Sequence, residues 1–200
     1  GVTVTATVDE TLTVTAAAVT AANCDVTAGT DIDAPPVTAT AIPFGTISTD
    51  TFYNACQSLT IGTNAASGYQ TTLTSIVGLD SGANPFGVGV CDASCSITVA
   101  AAWATAGNNG YGYCMKDETG DAAATADATD WAAANQCGGA TPKFKLVPDL
   151  SGPQSAEPIM QSAAGIGSDV SEIGVRISAD AAQAAGAYTG IFEYTTTGTF

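Results

Sequence analysis

Between Val2 and Ala16, apolar and polar residues alternate. Val2, Val4, Ala6, Val8, Leu12, Val14 and Ala16 fall on one parity; Thr3, Thr5, Thr7, Asp9, Thr11, Thr13 and Thr15 fall on the other. A period of two in β-branched residues predicts extended strand, with successive side chains on opposite faces. Glu10 interrupts the apolar parity, so the pattern divides into Val2–Val8 and Thr11–Val19, hinged at Asp9-Glu10.

Further strand-like runs are Val37–Ile47, Phe52–Thr63, Gly68–Val77, Cys95–Trp103, Tyr111–Met115, Lys143–Val147, Val170–Ser178 and Ala187–Thr196. Turn-rich pieces separate them, among them Ala34-Pro35-Pro36, Asp80-Ser81-Gly82-Ala83-Asn84-Pro85, Gly107-Asn108-Asn109-Gly110 and Asp149-Leu150-Ser151-Gly152-Pro153. This spacing predicts an all-β chain, a jelly-roll-like β-sandwich. Two Ala-rich stretches, Asp121–Gln136 and Ala179–Ala185, are the expected short helices in connections, the first capped by Gly138-Gly139. Neither a linker nor a fixed-period repeat divides the chain, so residues 1–10 read as an extended arm with its hinge and residues 11–200 as one sandwich domain.

Charge narrows the partners. Nineteen acidic and four basic side chains in 200 residues give a formal net charge of −15, which counts against nucleic acid and anionic lipid. Only Lys116, Lys143, Lys145 and Arg176 could contact a phosphate. No histidine is present, which removes the usual general base, the usual zinc imidazole and every Ser-His-Asp or Cys-His arrangement. Charged residues make up 12% of the chain, about half the ~25% of an ordinary soluble domain. Hydroxyls and small residues take their place, and the aliphatic content is too high for a disordered chain.

The six cysteines, Cys24, Cys56, Cys91, Cys95, Cys114 and Cys137, point to an oxidising compartment. An even count without histidine favours disulfides over zinc. Sequential elements of a sheet protein are usually neighbours in space, so the expected bonds are Cys24–Cys56, Cys91–Cys95 and Cys114–Cys137. The chain opens at Gly1 on strand-like sequence rather than on a basic and apolar leader, which is expected of a secreted chain whose signal has been removed. No apolar run approaches the roughly 18 residues of a membrane span, so no membrane insertion is expected.

Candidate chemistry is sparse. The densest carboxylate cluster, Asp117, Glu118 and Asp121 with Asp127 and Asp130, lacks the ligand spacing of a calcium loop. Paired carboxylates hydrolyse glycosides without histidine, but nothing pairs Glu118, Glu157, Glu172 or Glu193 across a cleft, and Trp103 and Trp131 read as packing residues. No enzymatic activity and no cofactor are expected. No Asn-x-Ser/Thr sequon occurs, which leaves the threonines as the candidate glycan acceptors, O-linked.

The N-terminal strand has two readings. It is either the first strand of its own sandwich or a donor that leaves its subunit and completes the open sheet of the next, through backbone pairing and alternate side chains seated in pockets. A flat apolar strand left exposed is an aggregation hazard, and donation is its controlled form. A head-to-tail exchange of this kind propagates into an open filament.

Val2–Val8, the central Asn64-Ala65-Ala66-Ser67-Gly68-Tyr69-Gln70 and the closing Gln183-Ala184-Ala185-Gly186-Ala187-Tyr188-Thr189-Gly190 resemble secreted β-sandwich surface proteins of bacteria and archaea. In broad architecture the chain resembles the TasA/camelysin and archaeal bundling-pilus group. That resemblance implies jelly-roll subunits joined by N-terminal donor strands, assigns donation to Val2, Val4, Ala6 and Val8, and assigns nothing catalytic. The six cysteines depart from the simplest members.

The expectation is therefore a non-enzymatic subunit of an extracellular, pilus-like filament at the cell surface, whose partners are copies of itself. Its rivals are a monomeric binding module, for instance for carbohydrate on a patch including Tyr111, Tyr113 and Trp103, and a surface-layer component.

Overall fold

A computed structural model describes residues 5, 7–82, 84–87, 89, 91–92, 94–119, 136–150 and 152–200, with the backbone alone for 117–119. The strands, in chain order, are β1 Leu12–Val19, β2 Thr30–Asp31, β3 Tyr53–Thr63, β4 Tyr69–Ser81, β5 Asn84–Pro85, β6 Ala101–Ala102, β7 Gly110–Thr119, β8 Lys143–Phe144, β9 Glu157–Ser162, β10 Ile166–Ser178 and β11 Thr189–Gly198. Among the described residues the one helical element is a single 3-10 turn, Ala21–Asn23. The chain is all-β, a β-sandwich.

The first sheet runs β1-β3-β10-β7, with β2 parallel to β3 beside Tyr53 and Asn54. The second runs β11-β4-β9, with β5 pairing the far end of β4. A short β6-β8 ribbon joins the edge of β7 through the bridge between Tyr113 and Lys145. The central strands β3 and β10 are buried along most of their length, whereas β1 and β11 are largely exposed. That contrast is expected of strands covered on both faces against strands at an edge.

The face of β3 that turns toward the second sheet carries Gln57, Leu59 and Ile61, which pair with Ile173, Ser171 and Asp169 of β10; Val175 and Ile177 of β10 and Met115, Tyr113 and Tyr111 of β7 continue the same face. The opposite face carries three cross-strand rows: Asn54, Arg176 and Gly112; Cys56, Gly174 and Cys114; Ser58, Glu172 and Lys116. Loops cover this second face. Val26, Phe52, Trp103 and Phe144 are all buried there, and the disulfides Cys24–Cys56 and Cys114–Cys137 tie loops to the sheet. The third disulfide closes the short loop Cys91–Cys95.

Arg176 is the hub of this loop layer. Its guanidinium carbon stands 4.3 Å from the ring centre of Phe52 and 4.5 Å from that of Phe144, stacked between aromatic faces that attract a cation. Its nitrogens donate to Asn54 Oδ1 at 2.9 Å, to the Trp103 carbonyl at 2.8 Å, to the Thr27 carbonyl at 2.6 Å and to the Ala28 carbonyl. One side chain thereby satisfies carbonyls from two loops that could not otherwise be buried. Desolvation lowers its pKa to about 10, with Asp31 acting in the opposite sense.

Several expectations are corrected. The run 37–47 is a loop holding only an isolated bridge between Thr38 and Ala41; Pro35, Pro36 and Pro43 supply no N–H to a ladder, and Val37, Ile42 and Phe44 pack on Ala55 instead. The run 95–103 keeps strand only at Ala101–Ala102, because Ser96 Oγ takes the N–H groups of Thr98 and Val99 into a turn. The stretch 179–185 is turn rather than helix: Asp180 Oδ1 accepts from the N–H groups of Ala182 and Gln183, which diverts two donors from a helical ladder. The other expected helix, 121–136, lies outside the described residues except for Gln136. Strand β9 was not foreseen; Pro158 breaks its pattern.

Candidate polymerisation site

Of the expected donor residues, Val2, Val4 and Ala6 lie outside the described residues. Val8 is described and is 81% exposed. Residues 7–10 form neither strand nor turn and are exposed throughout, so the β-ladder expected over Val2–Val8 does not extend through Thr7 and Val8 within this chain.

The sequence places the end of the arm through Asn64, the residue after β3. Its side-chain amide donates to the Asp9 carbonyl at 2.7 Å, its Oδ1 accepts the Thr11 N–H at 2.8 Å, and its own N–H donates to the Thr11 carbonyl at 3.3 Å. Thr63 Oγ1 also donates to the Thr11 carbonyl, at 2.8 Å. These bonds tie Asp9 and Thr11, just ahead of β1, to the end of β3. They fix residues 9–11 at the same pole as the β3–β4 turn, where Gly68 and Ser67 exchange backbone hydrogen bonds with Thr199 just beyond β11. Gly68 has φ +74°, and a Cβ there would stand 1.9 Å from the Ser162 carbonyl oxygen, so this turn requires glycine.

Coverage of the sheet thins from β3 to β1, where Leu12, Ala16 and Val19 are half-buried and pack on the core. On the face turned to the second sheet, Leu59 and Ile61 of β3 are 1% and 0% exposed, yet Val14, the direct partner of Ile61 on β1, is 47% exposed. Ala16, the partner of Leu59, is half-buried, and Ala18 is exposed. Above this face runs β11, whose Tyr194 hydroxyl donates to Gln57 Oε1 at 3.3 Å. Strand β11 pairs β4 on one side, and among the described residues no strand pairs its other side; the same holds for the outer side of β1.

Other candidate chemistry is absorbed by the fold. Lys145 is fully buried, with its Nζ 2.8 Å from Glu157 Oε1, and Arg176 is interior, so two of the four cations face no outside ligand. Lys116 pairs with Asp25. Glu172 is buried and accepts the Asp25 N–H at 2.8 Å. It lies near Cys24 and Cys56, but those sulfurs are joined to each other and offer no thiolate to a metal. Trp103, Tyr111 and Tyr113 are buried, so they form no exposed sugar-stacking patch. Glu118 and Trp131 are among the residues whose side chains are not described.

Burial of Arg176 and Lys145 was missed by sequence reasoning; a chain with four cations could have suggested that some of them are structural. No helix among the described residues is long and apolar enough to cross a membrane, and the three disulfides fit an oxidising environment. No family model matches the chain, and no curated protein is similar to it.

Proposed function

We propose that this chain is a non-enzymatic structural subunit of a secreted, extracellular filament, polymerised head to tail by donation of Val2, Val4, Ala6 and Val8 to the next copy. The observation that carries the reading is Val8, 81% exposed on a segment that is neither strand nor turn and whose end, at Asp9 and Thr11, is held by Asn64. An alternating apolar segment gains by pairing in a strand ladder that buries its apolar parity. Each valine fully desolvated contributes roughly 1.5–3 kcal/mol, and the backbone ladder adds direction and register. Threonines on the exposed face remain candidates for O-linked glycan.

Deletion of residues 1–8 tests the reading. Negative-stain electron microscopy of the undenatured full-length protein should show uniform thin filaments, and the truncated protein should show dispersed particles of unchanged circular dichroism. Filaments of normal appearance from the truncated chain would sink the donor assignment.

A further inference from the structure

We infer that Cys24, Cys56 and Glu172 form a redox-gated metal site. With the Cys24–Cys56 disulfide reduced, two thiolates and a carboxylate bind one thiophilic divalent cation of the zinc class. The inference does not depend on the polymerisation reading above.

Three chain segments bring the ligand atoms together. Cys56 lies on β3 and Glu172 on the neighbouring β10, in adjacent cross-strand rows of the loop-covered face, where Gly174, the register partner of Cys56, adds no side chain. Cys24 follows the 3-10 turn Ala21–Asn23. Both sulfurs and a Glu172 carboxylate oxygen lie within 4.8 Å of one another. Around a tetrahedral zinc, thiolate sulfurs at about 2.3 Å and a carboxylate oxygen at about 2.0–2.2 Å stand roughly 3.6–3.8 Å apart. Once the S–S bond is cut, small side-chain rotations meet that geometry. Thiolates select zinc and softer ions over calcium or magnesium.

The disulfide is not the sole frame of the site. Ahead of Cys24, Val19 pairs with Cys56 at the end of the β1–β3 ladder. Directly after it, the Asp25 N–H donates to Glu172 Oε1 at 2.8 Å, Val26 is buried, and the Thr27 N–H donates to the Cys137 carbonyl at 3.0 Å. Reduction therefore leaves both thiols and the carboxylate converging on one point. Lys116, the register partner of Glu172, is paired with Asp25, so its charge is matched beside the site.

Reagents have a way in. A surface cleft of about 310 Å³, lined by Ala18, Val19, Thr20, Asn23, Ser58 and Glu172, gives a metal its approach and leaves the fourth coordination position to water. Cys24 is half-buried while Cys56 is 1% exposed, so an external dithiol attacks the Cys24 sulfur. Its thiolate bonds to Cys24 Sγ, the S–S bond breaks, and Cys56 leaves as a thiolate that takes a proton. The second thiol of the reagent then displaces Cys24 and the reagent departs as a cyclic disulfide, oxidised by two electrons. The cation finally displaces the two thiol protons.

The test uses the full-length protein, reduced with dithiothreitol, freed of it by gel filtration without oxygen and titrated with Cd²⁺. Ultraviolet thiolate-to-metal absorption counts the ions bound, and circular dichroism follows the fold. The reduced parent should take up one more Cd²⁺ per chain than the reduced Cys24→Ser/Cys56→Ser variant, and the oxidised parent none. Glu172→Gln, which keeps both thiols, should weaken that uptake at least about tenfold. Equal uptake by the double-serine chain, or no uptake by the reduced parent, would overturn the site. Unchanged affinity in Glu172→Gln would remove the carboxylate and with it the three-ligand assignment. Loss of the β spectrum on reduction, before any metal is added, would show that the disulfide alone holds the frame and would equally overturn the inference.

Discussion

Gly174 of β10 lies directly beside Cys114 of β7, and a Cβ on Gly174 would stand 2.8 Å from Cys114 Sγ. On its other side Gly174 pairs with Cys56 of β3, so one row across the sheet places a glycine between two half-cystines. Their partners Cys24 and Cys137 come down from the covering loops. The loop layer sits tight on the sheet because this central position has no side chain: a Cβ would also meet Val26 Cγ2 at 2.2 Å and Cys137 Sγ at 3.2 Å.

Gly174→Ala should therefore overpack a buried site and cost about 1–3 kcal/mol or more. Urea unfolding at equilibrium measures it. An unchanged midpoint would show that the loop layer lifts away freely, contrary to its close approach at Gly174.

Arg176→Leu should be more damaging than loss of its packing alone would suggest. The Thr27 and Trp103 carbonyls and Asn54 Oδ1 would lose the guanidinium donor, while the Ala28 carbonyl keeps only the Asn54 amide, and each buried acceptor left unpaired costs about 1–3 kcal/mol. Arg176→Lys should recover only part of the loss, since an ammonium lacks the planar fork that serves several acceptors at once. Parity of the lysine variant with the parent in urea unfolding would refute this account of the hub.

Lys145 and Glu157 should show strong non-additivity. Removing one partner, by Lys145→Met or Glu157→Gln, strands a buried polar or charged group and should cost about 3–5 kcal/mol. The double variant should cost much less than the sum of the two singles, because no stranded charge remains once both partners are gone. Additive single costs in a double-mutant cycle would show that the 2.8 Å contact contributes no coupling.

Asp31 sets a pH dependence of definite sign. Burial raises its carboxyl pKa above the ordinary 3.8, outweighing the opposing hydrogen bond from Asn54 and the charge of Arg176. A raised folded-state pKa means the folded protein holds the proton more firmly, so this contribution is complete below pH ~4 and is lost as pH rises through the folded value. Asp31→Asn removes the titration. Relative to the parent, the variant should gain stability between pH ~3.5 and pH ~6, and urea midpoints at those two pH values give the comparison. A shift in the parent's favour would reverse the assignment.

Much of the architecture was legible in the chain because it rests on local pattern. Strands β3, β4, β10 and β11 all fall within or close to runs whose β-branched and aromatic residues announce them, and nearest-neighbour cysteines meet because consecutive elements lie side by side. The loop at 37–47 was misread as strand because its apolar residues pack on Ala55 from a loop, and apolar content alone does not distinguish a ladder from a cover. For the candidate site, the alternation of Val2–Val8 was plain, as was the break at Asp9-Glu10, while the role of Asn64 was not.

By itself, then, the sequence determined an all-β, acidic, disulfide-bonded chain with an alternating arm ahead of its first sandwich strand, since periodicity, charge and cysteine spacing are properties of neighbours along the chain. Only the tertiary structure decided that Arg176 and Lys145 are interior, because their burial depends on acceptors as remote as Thr27 and Ala28, 149 and 148 residues away from Arg176. Only the tertiary structure, too, left Val14 bare beside a covered Ile61. Which face of a strand is covered is set by where the opposite sheet ends, and no local pattern records that boundary.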